Sequence, residues 1–276
     1  MSVFSVAQAL AEARACGVDS LDAQLLLAKC LARSRSWLIA HNDAPLSAVQ
    51  AGQYRVWLAR RAAGEPLAYL FGEKEFHGLL LQVDARVLVP RPDTETLVDW
   101  ALDLLRGEHA TLAAPRVIDL GTGSGAVALA LKHAWPSADV TALDASEEAL
   151  TVARANAQAL QLDVRLLASL WWTAVQGERF HLAVSNPPYV AEQDPHLAAL
   201  AHEPGMALVS GADGLDALRH IIEAARAHLL PRGWLLLEHG HDQADTVQTL
   251  LARHGFEQVQ RRRDMAGHWR CSGAQA

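Results

Sequence analysis

A glycine-rich turn in the middle of the chain has the residue types and spacing of a nucleotide site. It follows the apolar stretch 116–120, which predicts a buried strand, and a predicted helix begins immediately after it. The turn consists of Gly121, Thr122, Gly123, Ser124 and Gly125. Glycines let the chain reverse sharply and let a ligand approach the backbone. At the carboxyl end of the first strand of an open α/β sheet, such a turn predicts nucleotide binding.

Two acidic residues narrow the choice of nucleotide. Asp144 stands 23 residues after Gly121 and ends the next predicted strand, where a carboxylate can accept both hydroxyls of a ribose. Asp119 stands just before the turn, where it suits a cationic amino-acid group better than a pyrophosphate. The turn also reads G-x-G-x-G rather than the G-x-G-x-x-G that is typical of NAD sites. These features favour S-adenosylmethionine.

The sequence Asn186-Pro187-Pro188-Tyr189 follows a strand predicted over residues 181–185. Two prolines fix the backbone and remove two N–H donors, so carbonyl oxygens point outward. The Asn186 side-chain oxygen and the Pro187 carbonyl can hold the two hydrogens of a planar amino or amide group, and Tyr189 can pack on its flat face. The nitrogen lone pair is then aimed at an incoming methyl group. Because a sulfonium leaves readily, alignment and desolvation supply most of the catalysis.

The part of the chain before residue 116 is predicted to form helices and one hairpin. Apolar spacing predicts helices over residues 6–15, 21–32 and 48–63 in the N-terminal part of the chain. A β-hairpin is predicted within residues 75–89, turning near Asp84-Ala85, and then a helix over 97–105 with Asp93 or Thr94 as its cap.

From residue 116 onward, predicted strands alternate with predicted helices. The strands cover residues 116–120, 139–143, 164–168, 181–185, 234–238 and 256–260. The helices cover residues 126–133, 147–160, 215–230 and 242–254. Strands separated by helices predict a parallel sheet covered on both faces.

Composition excludes several classes of protein. The 276 residues are 51% hydrophobic, which is ample for a packed core and rules out disorder. No stretch approaches the roughly 20 apolar residues that span a bilayer. Together with an N-terminus that lacks the pattern of a signal peptide, this predicts a cytoplasmic protein without membrane contact. Neither the three cysteines nor His239, His241 and Asp242 have the spacing of a metal site, so no metal is predicted.

The formal charge of −7 is unevenly distributed. Residues 1–92 contain 10 basic and 8 acidic residues, whereas residues 93–276 contain 14 and 23. Proteins that coat nucleic acid usually carry a basic excess, because each phosphate contact needs a cation. The excess of acidic over basic residues therefore predicts no direct nucleic-acid partner.

The glycine turn with its Asp119, together with Asn186-Pro187-Pro188-Tyr189, resembles the amino-methyltransferases that use S-adenosylmethionine. Residues 65–95 and 186–204 are similar to the HemK/PrmC family, with Arg91-Pro92-Asp93-Thr94-Glu95 as the more specific marker. Members of that family methylate the side-chain N5 of the glutamine in the Gly-Gly-Gln motif of peptide-chain release factors. The resemblance covers nearly the whole chain.

The resemblance implies an α/β fold: a Rossmann-like class I S-adenosylmethionine-dependent methyltransferase sheet, a small helical N-terminal domain and a connecting β-hairpin. We expect residues 1–72 to recognise the substrate, residues 73–92 to form the hairpin linker, and residues 93–276 to be catalytic. The implied partners are release factors.

The same resemblance implies roles for individual residues. The turn would wrap the methionine end of the cofactor, Asp144 would bind its ribose, and Trp171 would lie near the adenine. The family often has an acid just before that tryptophan, where this chain has Leu170. The predicted cofactor-binding residues are Asp119, Gly121, Thr122, Gly123, Ser124, Gly125, Asp144, Trp171 and Asn186. The predicted substrate-binding residues are Asn186, Pro187, Pro188 and Tyr189, of which Asn186, Pro187 and Tyr189 are the catalytic candidates.

Three other functions fit part of the sequence. One is methylation of a ribosomal-protein glutamine by a sister family, which usually differs just after Pro90-Arg91. Another is methylation of an amino group in DNA or RNA, which the acidic balance of residues 93–276 disfavours. The third is nucleotide binding without catalysis, which would have no use for the amide-holding residues Asn186 to Tyr189.

Overall fold

The computed structural model describes residues 4–276, which form two compact units that divide between Gly72 and Glu73. The N-terminal unit is helical. Its helices are α1 (Val6–Ala15), α2 (Ser20–Leu31), α3 (Arg35–Ala40), α4 (Ala48–Ala62) and α5 (Leu67–Phe71). Ser5 and Ser47 begin α1 and α4 with capping boxes, in which serine and glutamine side chains bind the free N–H groups. The helices bury a core that includes Leu26, Leu27 and Tyr54.

Sequence periodicity predicted three of these helices and missed α3 and α5. The two missed helices are six and five residues long, so neither is long enough to show a repeating apolar face. The predicted bounds of α1 are those observed. The N-terminal unit is therefore a small helical bundle, as expected.

The second unit begins with a hairpin of β1 (Glu73–Phe76) and β2 (Leu79–Gln82). The predicted turn near Asp84-Ala85 is wrong. The chain reverses at His77 and Gly78, which both have positive φ angles, +48° and +79°, as the tightest hairpin turns require. Asp84 instead accepts a hydrogen bond from the Arg86 N–H over 3.0 Å in a local side-chain turn.

Seven strands form the main sheet of this unit. They are β3 (Arg116–Leu120), β4 (Asp139–Asp144), β5 (Arg165–Ala168), β6 (Phe180–Ser185), β7 (Leu229–Glu238), β8 (Glu257–Arg263) and β9 (Trp269–Gln275). Their order is β5-β4-β3-β6-β7-β9-β8. The predicted parallel sheet is confirmed for the five neighbouring strands β5, β4, β3, β6 and β7. Strand β9 pairs antiparallel with both β7 and β8.

Helices cover both faces of the sheet, as predicted. They are α6 (Glu95–Arg106), α7 (Ala126–Ala134), α8 (Glu147–Leu160), α9 (Asp216–Ala225) and α10 (Ala244–Arg253). Alternate residues of a strand face opposite sides, so Val117 lies in one apolar core and Ile118 in the other. Within the described residues, no helix combines the length and the apolar character needed to cross a membrane.

Two predictions near the C-terminus are corrected. The helix predicted over residues 215–230 ends at Ala225, and after a short 3-10 turn β7 already begins at Leu229. Strand β9 was not predicted, because its small and polar residues lack a strand-like apolar alternation. Gly273 is required there: a Cβ atom would lie 2.4 Å from the Leu236 side chain and 2.9 Å from that of Trp100.

Candidate active site

The sheet brings the predicted site residues to one edge. Strands β4, β3 and β6 are parallel neighbours, so their carboxyl ends lie side by side. The glycine turn follows β3, Asp144 ends β4, and Asn186 follows β6. Asp144, Asn186 and the first four residues of the turn, Gly121 to Ser124, line one cleft that holds about 1040 Å³ of empty space, including its open mouth.

The three glycines of the turn all have positive φ, and two of them meet different surroundings. Among residues 4–276, no atom lies within 4 Å of where a Cβ atom on Gly123 would be, so this position faces open space in the cleft. A Cβ atom on Gly125 would lie 2.9 Å from the Leu129 side chain, so glycine is needed there for packing. The N–H groups of Gly121 and Thr122 both donate to the Leu143 carbonyl over 2.8 Å. The turn is thus fixed to β4 and leaves room for a ligand.

Asp144 is held by backbone donors on both of its carboxylate oxygens. Oδ2 accepts a hydrogen bond from the Gly123 N–H and Oδ1 accepts one from the Ser146 N–H, each over 2.8 Å. Burial raises the pKa of Asp144, and these hydrogen bonds oppose the rise by stabilising its ionised form. The carboxylate is therefore fixed beside the turn, within the cleft.

Asp119 lies deeper, with 1% of its surface exposed. Its Oδ2 accepts hydrogen bonds from the Thr122 hydroxyl over 2.6 Å and from the Ala128 N–H over 3.2 Å. Burial raises the pKa of Asp119 to about 7. A cationic group at this end of the cleft would favour the ionised carboxylate and would itself find a partner there.

The structure separates the residues of the proline turn. Asn186 and Pro188 line the cleft, whereas Pro187 is buried and Tyr189 packs against the apolar core of the sheet. The Asn186 amide nitrogen donates to the Thr94 hydroxyl over 3.1 Å, so its oxygen is left to accept from a ligand. The Tyr189 hydroxyl donates to Glu238 Oε1 over 3.3 Å, away from the cleft lining.

Trp171 lines the cleft beside the glycine turn. Its ring carbon Cζ3 is 3.5 Å from where a Cβ atom on Gly121 would be. Its φ angle is +49°, which is uncommon for a residue with a large side chain and marks a backbone fixed by its surroundings. Leu170 also lines the cleft and is 61% exposed. These positions can hold a flat group against the indole.

Two further walls of the cleft were not identified from the sequence. One includes Val87 and Pro90, and the other includes Pro204 and Met206. Glu203, which has 2% of its side chain exposed, ties the two walls together. It accepts a hydrogen bond from the Val89 N–H over 3.0 Å and pairs with the Arg91 guanidinium. The only sequence signal for these walls was the resemblance of residues 65–95 and 186–204 to a known family.

Thr94 also contributes to the cleft, in a role that the sequence did not predict. Asp93 or Thr94 was expected to cap α6, but in the described part of the chain neither side chain makes a cap hydrogen bond, since a 3-10 turn over Pro92–Thr94 leads directly into the helix. Asp93 instead pairs with Arg270 over 3.2 Å. The Thr94 hydroxyl is thereby available to Asn186.

Known families and curated proteins match almost the whole chain. A model described as the PrmC N-terminal domain matches residues 5–72, and one described as the methyltransferase small domain matches residues 95–213. A release factor glutamine methyltransferase of Bordetella pertussis is 48% identical over 93% of this chain and 95% of its own length. One from Burkholderia pseudomallei is 49% identical over 94% of this chain and 93% of its own.

Solved structures support the fold. A methyltransferase from Pyrococcus furiosus has a TM-score of 0.53 at 20% identity, covering 82% of this chain and 97% of its own. A ribosomal RNA methyltransferase of Thermus thermophilus, solved with AdoMet and guanosine, has a TM-score of 0.56 at 19% identity. That match covers 74% of this chain and 49% of the other. The predicted methyltransferase sheet is confirmed.

Proposed function

The chain belongs to the release factor glutamine methyltransferase family, and from this we propose that it transfers a methyl group from S-adenosylmethionine to a release factor. The acceptor is N5 of the glutamine in the Gly-Gly-Gln motif, and the reaction modulates translation termination. One structural observation supports this activity independently of the family membership. The Asn186 amide oxygen, free to accept, shares a cleft with the glycine turn and its two acids.

The residues around the cleft fit S-adenosylmethionine. Gly123 offers open space, Asp144 presents a fixed carboxylate for a ribose, and Asp119 is a buried acid for an ammonium group. Trp171 offers a flat surface for the adenine, while Thr122, Ser124 and the other turn residues surround the methionine end. When bound, the cofactor supplies a methyl group on a sulfonium sulfur, which is a good leaving group.

Asn186, which lines the cleft, is the first proposed holder of the substrate amide, and the second is the backbone carbonyl of Pro187, a buried residue between the cleft-lining Asn186 and Pro188. The Asn186 oxygen and the Pro187 carbonyl accept the two amide hydrogens, which fixes the nitrogen and draws its lone pair out of conjugation with the carbonyl. The bond from nitrogen to the methyl carbon forms as the carbon–sulfur bond breaks, and the nitrogen then releases one proton to water. Pro188 shapes the entrance, and Tyr189 supports the turn from the side of the sheet. Such positioning is worth several kcal/mol without a strong base.

The N-terminal helical unit is the proposed recognition domain for the bulky protein substrate. It lies within residues 1–92, the part of the chain in which basic residues outnumber acidic ones. Since release factors work at ribosomes, the proposed location is the cytoplasm. The chemistry itself needs a protein amide and no direct contact with nucleic acid.

The test is a methylation assay with radiolabelled cofactor. The purified protein is incubated with a release factor, with its Gly-Gly-Gln→Gly-Gly-Ala variant, with ribosomal proteins, or with DNA or RNA. We expect label on the first substrate and none on the others. Equal label on the two release factors, or label only on ribosomal protein or nucleic acid, would overturn the proposal.

A further inference from the structure

Asn156 is a buried asparagine in α8, with 1% of its surface exposed. Asparagine is a weak helix former, and a buried amide costs stability unless its hydrogen-bonding groups find partners. Asn156 also lies outside the set of described residues that line the cleft. An apolar residue would serve the packing of α8 at least as well, so the hydrogen bonds of Asn156 are the reason for an amide at this position.

The Asn156 side chain bonds to two segments that are far from it in the sequence. Its Nδ2 donates to the Ser124 carbonyl of the glycine turn over 2.9 Å and to the Gln82 carbonyl at the end of β2 over 3.0 Å. Its Oδ1 accepts a hydrogen bond from the Gln82 N–H over 2.7 Å. The two carbonyls can only accept and the N–H can only donate, so the amide can face only one way. One side chain thereby ties the glycine turn to the hairpin.

Ser124 is the residue through which this contact acts on the cleft. It lines the cleft and lies between Gly123 and Gly125, and glycines leave the backbone on either side free to adopt other conformations. Asp144 holds the peptide group before Gly123 through its N–H, and Asn156 holds the peptide group after Ser124 through its carbonyl. The two side chains together fix the conformation of the turn.

We propose that Asn156 is a positioning residue for the cofactor, which it serves without touching it. It holds the Ser124 carbonyl and the end of β2 in one arrangement, and the chain that follows Gln82 supplies Val87 and Pro90 to the cleft. Without the amide the turn can rotate, and part of the binding free energy is then used to reorder it. This inference rests on the proposed function, since it takes S-adenosylmethionine as the ligand of the turn.

The test compares Asn156→Ala with two controls by calorimetry with S-adenosylmethionine, below the melting temperature of each variant. Leu79→Ala removes buried apolar atoms from the same hairpin and leaves the three hydrogen bonds in place. Gln158→Ala removes an exposed amide from the same helix. We expect the Kd of Asn156→Ala to rise at least about tenfold and that of each control to stay within about threefold. An unchanged Kd in Asn156→Ala, or an equal rise in Leu79→Ala, would overturn the proposal.

Turnover separates positioning from a loss of folded protein. Asn186 and the acceptor are untouched in Asn156→Ala, so the KM for the cofactor should rise while kcat at saturating cofactor stays within about threefold of the natural chain. Partial unfolding would instead lower kcat at every cofactor concentration. A fall in kcat with an unchanged KM would therefore contradict the positioning role.

Amide hydrogen exchange of the natural chain is a second measurement, and it needs no variant. The Gln82 N–H bonds to Asn156, and Gln82 lies outside the described residues that line the cleft. The Gly78 N–H of the same hairpin bonds to the Glu75 side chain over 2.8 Å and is the matched control. Saturating S-adenosylmethionine should slow exchange at Gln82 at least about fivefold and at Gly78 less than about twofold. Equal slowing at both amides, or none at Gln82, would overturn the proposal.

The two proposals fail in different ways. If the natural chain binds S-adenosylmethionine and Asn156→Ala binds it equally well, only the role of Asn156 is wrong. If the natural chain binds the cofactor but labels an acceptor other than a release factor, the proposed substrate is wrong and a raised Kd in Asn156→Ala still supports the positioning role. A natural chain that does not bind the cofactor would overturn both.

Discussion

Gly123 and Asp144 are joined by a hydrogen bond from the Gly123 N–H to the Asp144 carboxylate over 2.8 Å. The bond links the turn after β3 to the end of β4, so the residue proposed to face the methionine end and the residue proposed to bind the ribose have a fixed spacing. The second carboxylate oxygen is held by the Ser146 N–H. Asp144 therefore needs little reorganisation to accept a ribose.

Asp144→Ala is expected to weaken cofactor binding. It removes the proposed ribose acceptor, and each lost hydrogen bond to a charged group costs roughly 1.5–3 kcal/mol, which corresponds to a Kd about 10- to 150-fold higher. Isothermal titration calorimetry with S-adenosylmethionine measures the change. Asp163→Ala, at an exposed acid before β5, is the control and should bind normally. An unchanged Kd in Asp144→Ala would remove Asp144 from the ribose role.

Asn186→Ala is expected to separate catalysis from cofactor binding. The variant loses the oxygen that holds the substrate amide, so kcat should fall by roughly 100-fold or more. Because the glycine turn and Asp144 remain, the cofactor Kd should rise by no more than about threefold. Methyl transfer to a release factor and calorimetry give the two values. Asn42→Ala, at an exposed asparagine of the N-terminal unit, is the matched control. Near-normal turnover in Asn186→Ala would contradict the amide-holding mechanism.

Asp119 makes the stability of the cofactor-free protein depend on pH. Burial raises its pKa from 3.8 to about 7, so the folded chain binds the proton more tightly than the unfolded chain does. Its contribution to the free energy of unfolding therefore falls as the pH rises from about 4 to about 7. Asp119→Asn cannot ionise. The free energy of unfolding of Asp119→Asn minus that of the natural chain should therefore increase by roughly 2–3 kcal/mol from pH 5 to pH 8.

Urea unfolding at the two pH values measures this difference. The hydrogen bonds of Asp119 to Thr122 and Ala128 stabilise its ionised form and are already included in its pKa, whereas those of an asparagine are the same at both pH values and cancel. His109 and His239, whose pKa values burial lowers, are present in both proteins and cancel in the same way. A stability difference that stays constant from pH 5 to pH 8 would show that Asp119 does not titrate in this range.

Local patterns predicted the parts of the site that a single strand and its following turn determine. The glycine turn, Asp144 and Asn186 each follow a strand of apolar residues, and parallel strands place their carboxyl ends at one edge. The contact from Thr94 to Asn186 could not be predicted, because the two residues are 92 positions apart and threonine before a helix ordinarily indicates a cap. The hairpin turn was misplaced because Asp84 has turn-forming chemistry of its own, which it uses in a local turn with Arg86.

Gly125→Ala and Gly123→Ala are expected to fail in different ways. Both residues have positive φ, +85° and +56°, so alanine costs about 1–2 kcal/mol at either position. At Gly125 the added methyl also lies 2.9 Å from the Leu129 side chain, which must move within the packed core, so the melting temperature should fall further. At Gly123 it enters the open cleft, so stability should fall less, but cofactor Kd should rise at least about tenfold. Thermal unfolding and calorimetry on both variants give the comparison. Equal melting temperatures would contradict the packing role of Gly125, and an unchanged Kd in Gly123→Ala would mean that the cofactor does not approach the backbone at this turn.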